Sequence, residues 1–315
     1  MTPICAFDIA ADGTARPVTD LTRPCAAAYR WVHCDLADPD TADWLDATLP
    51  ELAAETLQQV ETRPRVLAHT GGLIVALRGL NLNAGQTRED MVSIRLWVTE
   101  TLIVSSRRRR VFAAEELRAE VEAGKAPPAP GAFLASLCEK LMDKIEENGV
   151  ALEDILDELE DVLFEDDTAQ ECRQVPELRR AAIRLGRFLN PQATALHALA
   201  EKRSPVLDED AREDLGEIAN RAQRAVEELT AVRERLAALS DHLDMAQNAR
   251  LSRNSYALSV VAAVFLPMGF LTGLFGVNVA GMPGTDTPMA FALLTLATLA
   301  MGGLVWLLLR LLRLY

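Results

Sequence analysis

The stretch ALSVVAAVFLPMGFLTGLFG, residues 257–276, decides how this chain is to be read. Residues 257–275 form an apolar run without a charged side chain, and residues 289–309, MAFALLTLATLAMGGLVWLLL, form a second. About 18–20 residues, rising ~1.5 Å each, are enough to cross ~30 Å of hydrocarbon. One such run can be a buried core helix. Two in tandem, at the end of a charged chain, predict a membrane hairpin. Arg250 and Arg253 precede the first run, Arg310 and Arg313 follow the second, and residues 276–288 between them hold no Lys or Arg. Basic residues favour the cytoplasmic side, so both termini are expected to be cytoplasmic and the short loop external. Trp306 and Tyr315 suit the inner interface as aromatic anchors.

Charge is distributed accordingly. From residue 254 to 309 the single charged side chain is Asp286. The first 253 residues carry 30 Lys and Arg against 45 Asp and Glu, a formal balance of −15. Such a balance disfavours nucleic acid and favours cations or solvation. The N-terminus lacks a basic segment followed by an apolar core, so no signal peptide is expected. Cys5, Cys25, Cys34, Cys138 and Cys172 are scattered and odd in number, which reads as reduced thiols in the cytosol. His33, His69, His197 and His242 do not pair at ligand spacing. A tight zinc site is therefore not written locally, which leaves open one assembled in three dimensions.

Before the spans, residues 1–110 alternate between strand and helix patterns. Strands are expected at 4–9, 30–34, 65–68, 73–80, 93–98 and 101–105, with helices at 41–47 and 52–59. Gly71-Gly72 and Glu100-Thr101 sit where hairpin turns would. Arg107, Arg108, Arg109 and Arg110 admit contact with nucleic acid or anionic lipid; in so acidic a chain, a strand end pairing with acidic neighbours is the favoured reading. Helix takes over after Phe112, broken by the Pro-rich residues 126–131. The helix expected over 133–164 is strongly acidic, either a solvated face, which is favoured, or a cation-attracting arm. A second helix starts near Pro176 with a kink expected at Pro191.

From Asp208 a helical pattern runs into the first span, about 100 Å of continuous helix at 1.5 Å per residue. Leu215, Ile218, Ala222, Ala225, Leu229, Val232, Leu236, Leu239, Leu243 and Ala246 form a 3-4 seam that predicts packing on other helices. A second stripe on the same helix comprises Asp241, Met245, Asn248, Ser252, Ser255, Ser259, Ala262, Leu266, Gly269 and Gly273. Small and polar side chains within a span must face protein or water. Packing through Gly269 and Gly273 and pore-lining through Ser252, Ser255 and Ser259 are both readings of this stripe. As a pore, it would place oxygens toward a hydrated cation, Asp241 at the cytosolic mouth and Leu266 as a hydrophobic gate. The stripe contains no Cys or His, so soft ligation of the passing ion is not expected. Pro267 removes one backbone bond and permits a bend. Two spans cannot enclose a pore, so this reading requires a homo-oligomer.

The first span closes in FLTGLFGVNVAGMPG, residues 270–284. This resembles the signature of the CorA superfamily of divalent-cation transporters, where Gly-Met-Asn ends the pore helix. Here the triplet is Gly276-Val277-Asn278, similar to the zinc-transporter (ZntB-like) branch. Residues 31–39, 61–66 (ETRPRV), 90–97 (DMVSIRLW) and 106–110 are similar to that branch's N-terminal domain. The resemblance implies a homopentamer in a bacterial inner membrane, with a cytosolic funnel, the first span lining the pore and the second outside it. It also implies an outer ion-entry ring at Gly276, Val277 and Asn278. Gly276 allows close backbone approach, while the Asn278 side chain offers oxygens that replace or hold ion-bound waters. Val277 in place of Met argues against magnesium as the main substrate. Some relatives carry acidic residues in the outer loop, where this chain has only Asp286.

The expected layout is an α+β cytosolic domain over 1–125, with a mixed sheet and helices, then an acidic helical hairpin over 131–207. A stalk helix over 208–256 leads to a pore helix over 257–276, an external loop over 277–288, a second span over 289–309 and a cytosolic tail over 310–315. The expected function is transport of Zn²⁺ without a resident cofactor, in a lipid bilayer and without nucleic acid. Alternatives are transport of Mg²⁺, Co²⁺ or Ni²⁺, or a membrane-anchored cytosolic sensor or enzyme without transport. No G-x-S-x-G, P-loop or H-E-x-x-H supports an enzyme. Neither span holds Asp, Glu, His, Lys or Arg, so any proton coupling would run through Asp241, His242 or groups further into the cytosol.

Overall fold

The computed structural model describes residues 1–165, 174–277, 284 and 287–311, and the chain divides into two compact units, Met1–Ser240 and Asp241–Tyr315. In the first unit, β1 (Cys5–Ile9), β2 (Ala15–Pro17), β3 (Tyr29–Asp35), β4 (Arg65–His69), β5 (Gly72–Gly79), β6 (Val92–Val98) and β7 (Leu102–Arg107) form one sheet, ordered β2-β1-β3-β7-β6-β5-β4. Neighbours are antiparallel except β3 and β7, which run parallel. A parallel pair needs a long crossover. Here it contains α1 (Asp40–Thr48), α2 (Glu51–Gln58) and the β4–β6 meander.

Alternation along β3 sends Val32 and Cys34 to one face and Tyr29, Trp31 and His33 to the other. On the first face they join Ala6, Ile74, Trp97 and Val104 under Leu45, Ala53 and Leu57 of α1 and α2. On the second, Phe133 of α4 (Pro130–Glu165) stands edge-on to Trp31, ring centroids 4.9 Å apart. Trp31 Nε1 donates to Ser105 Oγ at 2.9 Å, which lies 2.7 Å from His33 Nδ1. β4 pairs with β5 only as far as Ala76. Beyond it, Gln192 of α5 (Gln174–Ala200) takes the place of a strand: its Oε1 accepts the Arg78 backbone N–H at 2.7 Å and its Nε2 donates to the Arg78 carbonyl at 2.9 Å.

The β4–β5 turn sits at Thr70-Gly71, both with positive φ (43° and 77°), the geometry of a two-residue hairpin. Gly72, expected in the turn, belongs to β5, where an added Cβ would come within 2.7 Å of the Trp97 ring. Glu100-Thr101 does form the β6–β7 turn, closed by the Thr99 N–H to the Leu102 carbonyl at 2.8 Å. The short edge strand β2 was not expected. Where the central strand β7 ends, Arg107 and Arg110 pair with Glu115 of α3 (Phe112–Glu122) at 2.7 and 3.7 Å, the acidic neighbour that the arginine run called for.

Helices α4 and α5 pack with the first part of α6 (Glu209–Gly276), which Asp208 caps by accepting the Ala211 N–H at 2.9 Å. The expected seam is buried from Leu215 to Leu239. Leu243 is half-buried and Ala246 exposed, so the seam ends earlier than its spacing suggests. Two repeated clamps explain the stopping point. Arg221 binds Asp143 and Glu146, and two heptads on Arg235 binds Asp157 and Glu160, each pair 75 or 78 residues apart. α4 and α6 therefore run parallel, and at that offset α6 outruns the last residue of α4, Glu165, at about residue 242. The acidic face of α4 is thus partly an ion-pairing surface for its neighbour. α5 continues past Pro191 to Ala200 as one helix.

The second unit holds the remainder of α6, which continues past Pro267, and α7 (Ala290–Leu311). Both helices are long and apolar enough to cross a membrane. Phe291, Leu293, Leu296 and Leu299 of α7, and Leu258, Phe265 and Phe270 of α6, are all 60% exposed or more. An apolar surface that size is suited to lipid, not water. At the end of α7 the Arg310 guanidinium lies 5.5 Å from the Trp306 ring centroid, a cation–aromatic pair of the kind found at interfaces. Tyr315, the other expected anchor, lies outside the described residues.

Candidate functional site

Within the second unit, helix period and burial assign a role to each face of α6. The half-buried residues of its apolar part are Val260, Val264, Pro267, Met268 and Leu271, a 3-4 series along one face. The half-buried residues of α7 are Ala290, Leu294, Thr298, Met301, Gly302, Val305 and Leu309. The two series face each other, and Gly302 lies at a tight contact: an added Cβ would lie 3.0 Å from Met268 Sδ.

The expected pore stripe lies elsewhere. Each residue advances the helix by about 100°, so Ala262 and Leu266 sit about 200° either way from Val264 and Ser255 about 180° from it. The stripe occupies the side of α6 turned away from α7. Asp241, Met245, Asn248, Ser252, Ser255, Ser259, Ala262 and Leu266 are all exposed, Leu266 at 73% and Met245 at 66%. Gly269, Gly273 and Gly276 have nothing within 4 Å of where a Cβ would stand. Within this chain, then, the helix-packing glycine is Gly302, not the pair on α6. The signal that could have found it was Gly302-Gly303 in an otherwise bulky run.

This face can hold hydrated cations without holding bare ones. Asn248, Ser252 and Ser255 present amide and hydroxyl groups outward. Ser259 Oγ donates to the Ser255 carbonyl at 2.9 Å, which fixes its proton on the helix and leaves the oxygen as an acceptor. Thr272 likewise bonds back, to the carbonyls of Met268 and Gly269 at 3.1 and 3.2 Å. Leu266 interrupts the polar sequence with a large apolar side chain. α6 ends at Gly276, and Val277 is 51% exposed. Asn278, the third member of the expected entry ring, lies outside the described residues, as does Asp286. Among the described residues no three His, Cys, Asp or Glu side chains gather as a metal-binding group. Cys5, Cys25, Cys34 and Cys138 are free thiols; burial pushes those of Cys5 and Cys138 up to about 12, away from the thiolate a metal needs.

Residues 26–311 match the family model described as "CorA-like Mg2+ transporter protein". The chain is 34% identical over 292 residues to the zinc transport protein ZntB of Pectobacterium carotovorum subsp. carotovorum, covering 92% of this chain and 88% of that relative. It is 35% identical over 294 residues to the protein of the same name from Yersinia enterocolitica, with the same coverage. Among solved structures it is similar to the full-length CmaX protein, with a TM-score of 0.87, 32% identity and coverage of 99% and 98% of the two chains. The CorA magnesium transporter of Methanocaldococcus jannaschii shares the fold, with a TM-score of 0.79 at 16% identity, covering 97% of this chain and 96% of that one.

Proposed function

The chain belongs to the CorA-like Mg²⁺ transporter family, and from that premise we propose that it carries divalent cations, zinc first, through a homopentameric pore lined by α6 in a bacterial inner membrane. The family is one of transporters, not enzymes. Zinc is favoured because relatives covering nearly all of the chain bear the name of zinc transport proteins. Gly276-Val277-Asn278, in place of Gly-Met-Asn, is consistent with that preference.

The observation that carries the reading is the face of α6 opposite α7. A helix used only as an anchor has no need of an uncovered face that is polar from Asn248 to Ser259 as it enters the span and small at Ala262, Gly269 and Gly273 within it. Copies of the chain arranged around an axis would cover that stripe and leave the apolar outer surface of α7 to lipid. The ion would enter at Gly276, Val277 and Asn278 with part of its water shell retained. It would pass Leu266, where a narrow apolar ring excludes water in the closed state. Below, Ser259, Ser255, Ser252 and Asn248 would exchange hydrogen bonds with its hydration shell, and Asp241 would hold it at the cytosolic mouth. Both termini would be cytoplasmic, as the arginines flanking the spans require.

Flux of Zn²⁺, Mg²⁺, Co²⁺ and Ni²⁺ into proteoliposomes carrying the purified protein, each with a pH gradient in either direction, tests this reading. Zn²⁺ flux exceeding Mg²⁺ flux is the expected result. No flux of any of the four ions by a confirmed pentamer would turn the reading to a membrane-anchored sensor.

A further inference from the structure

Six arginines come together in the first unit of a chain whose formal net charge is −14. Arg78 of β5, Arg95 of β6, Arg108 and Arg109 after β7, and Arg184 and Arg187 of α5 line a cavity of about 620 Å³. Glu61, Glu89 and Asp90 are the acidic residues on the same walls, and Asp90 stands 4.0 Å from Arg184. The excess of positive charge is therefore local and large.

Arg78 and Arg95 differ in how they are held. The Arg78 guanidinium donates to the carbonyls of Thr62 at 3.0 Å and Met91 at 2.8 Å, and stacks 3.8 Å from the centroid of Phe188. That is a satisfied, architectural arginine. Arg95 is 1% exposed, and its Nη2 donates to the Val60 carbonyl at 3.2 Å, but Nε and Nη1 have no acceptor. A desolvated cation with most of its donors unpaired costs folding energy. Nearby, Arg108 and Arg187 have no acidic partner among the described residues. Burial, then the charges of Arg108 and Arg78, pull the Arg95 guanidinium down to about 10, so it is still charged at neutral pH while strained by its neighbours. Such mutual repulsion is relieved by an anion in the cavity.

We propose that this cavity binds a small phosphate-bearing anion, contacted by Arg108, Arg109, Arg184 and Arg187 above the fixed charge of Arg95. The guanidinium fork matches phosphate oxygens in pairs, and several forks around one space suit a multiply charged, multi-oxygen ligand better than a halide. The volume is within the range of small-molecule sites. A nucleic acid is disfavoured because the acidic remainder of the unit would repel a long polyanion. The site stands apart from the transport reading, and its test reads binding alone.

The test is calorimetric titration of the full-length protein in detergent, without added metal and at constant ionic strength, with pyrophosphate and with ADP. Saturable binding is expected, weakened at least tenfold by Arg108→Ala with Arg187→Ala. Arg224→Ala, an exposed arginine paired with Glu217 on α6, should leave it within twofold. Both exchanged residues are exposed and unpaired by acids, so the variant retains its fold. Equal affinity for the two ligands assigns recognition to the phosphates, and tighter ADP binding assigns a nucleotide; either supports the site. No saturable binding of either probe, full affinity in the double variant, or equal loss in Arg224→Ala overturns it.

Discussion

His33 shows how a single side chain links the core of the first unit to solution conditions. It lies on β3, 1% exposed, with Nδ1 on Ser105 Oγ and no partner for Nε2. Burial first, and the charge of Arg107 second, pull its pKa down to about 3 from the ordinary 6.5. The folded imidazole is neutral, while the unfolded one gains a proton as pH falls through about 6.5. Between those values the unfolded state binds more protons, so stability falls as the solution is acidified, by up to about 1.4 kcal/mol per pH unit. From pH 7 to pH 5 the loss should reach about 2 kcal/mol, before ordinary carboxylates titrate. Urea unfolding followed by tryptophan fluorescence measures it, since Trp31 is 5.9 Å from the His33 ring. His33→Gln should remove most of that slope; an unchanged slope in the variant would sink the explanation. The sequence placed His33 in a strand, but its isolation depends on β1 and β7 on either side of it, with Ser105 72 residues away. Gln192 and Arg95 were unreadable for the same reason: their partners lie 114 and 35 residues away.

Elements with a strong period were legible, and those defined by their neighbours were not. The apolar alternation of β1, β3, β5, β6 and β7 found these strands to within a residue or two. β2, with the sequence Ala-Arg-Pro, exists only because β1 offers an edge, and Pro17 ends it. Gly72 reads as a turn residue but is required by the Trp97 ring. The α4–α6 clamps carry a prediction at this scale. Arg221 is better covered than Arg235, with side-chain exposures of 22% and 38%. Arg221→Ala should cost about 1 kcal/mol and Arg235→Ala less, because solvent screens the more exposed network. Thermal unfolding at low and high salt checks both the order and its attenuation by salt. Gly302 carries the second. Gly302→Leu would drive a side chain into Met268, separating α6 from α7 and lowering the thermal midpoint in detergent. Adding Met268→Ala should recover most of the loss. Failure of recovery would mean that the two helices do not meet at this point.

At the scale of the whole molecule, the stripe on α6 was legible because hydrocarbon is an exacting solvent. Polar side chains at the entrance of a span, and small ones along it, demand a reason, and their spacing marked one face of the helix. The sequence favoured packing for Gly269 and Gly273, although a path wall suits small residues equally. The position of α7 narrows the choice: among the described residues nothing lies within 4 Å of a Cβ at either glycine, so α7 is not what they pack on. That distinction yields the last prediction. If the copies enclose an ion path, Leu266 is the largest side chain on its wall and the barrier to water. Leu266→Ala should then raise Zn²⁺ flux in proteoliposomes several-fold and weaken discrimination among divalent ions, while Phe265→Ala, about 100° round the helix and off the stripe, should leave flux within twofold. Asn248→Leu should lower flux at least tenfold without dissociating the oligomer, because it replaces an amide that can hydrogen-bond the ion's water shell with a second apolar ring. The oligomeric mass of each variant, measured in the same detergent, separates a pore effect from loss of assembly. Equal flux changes at Leu266 and Phe265 would show that the face opposite α7 is not the ion path, whatever the family fold.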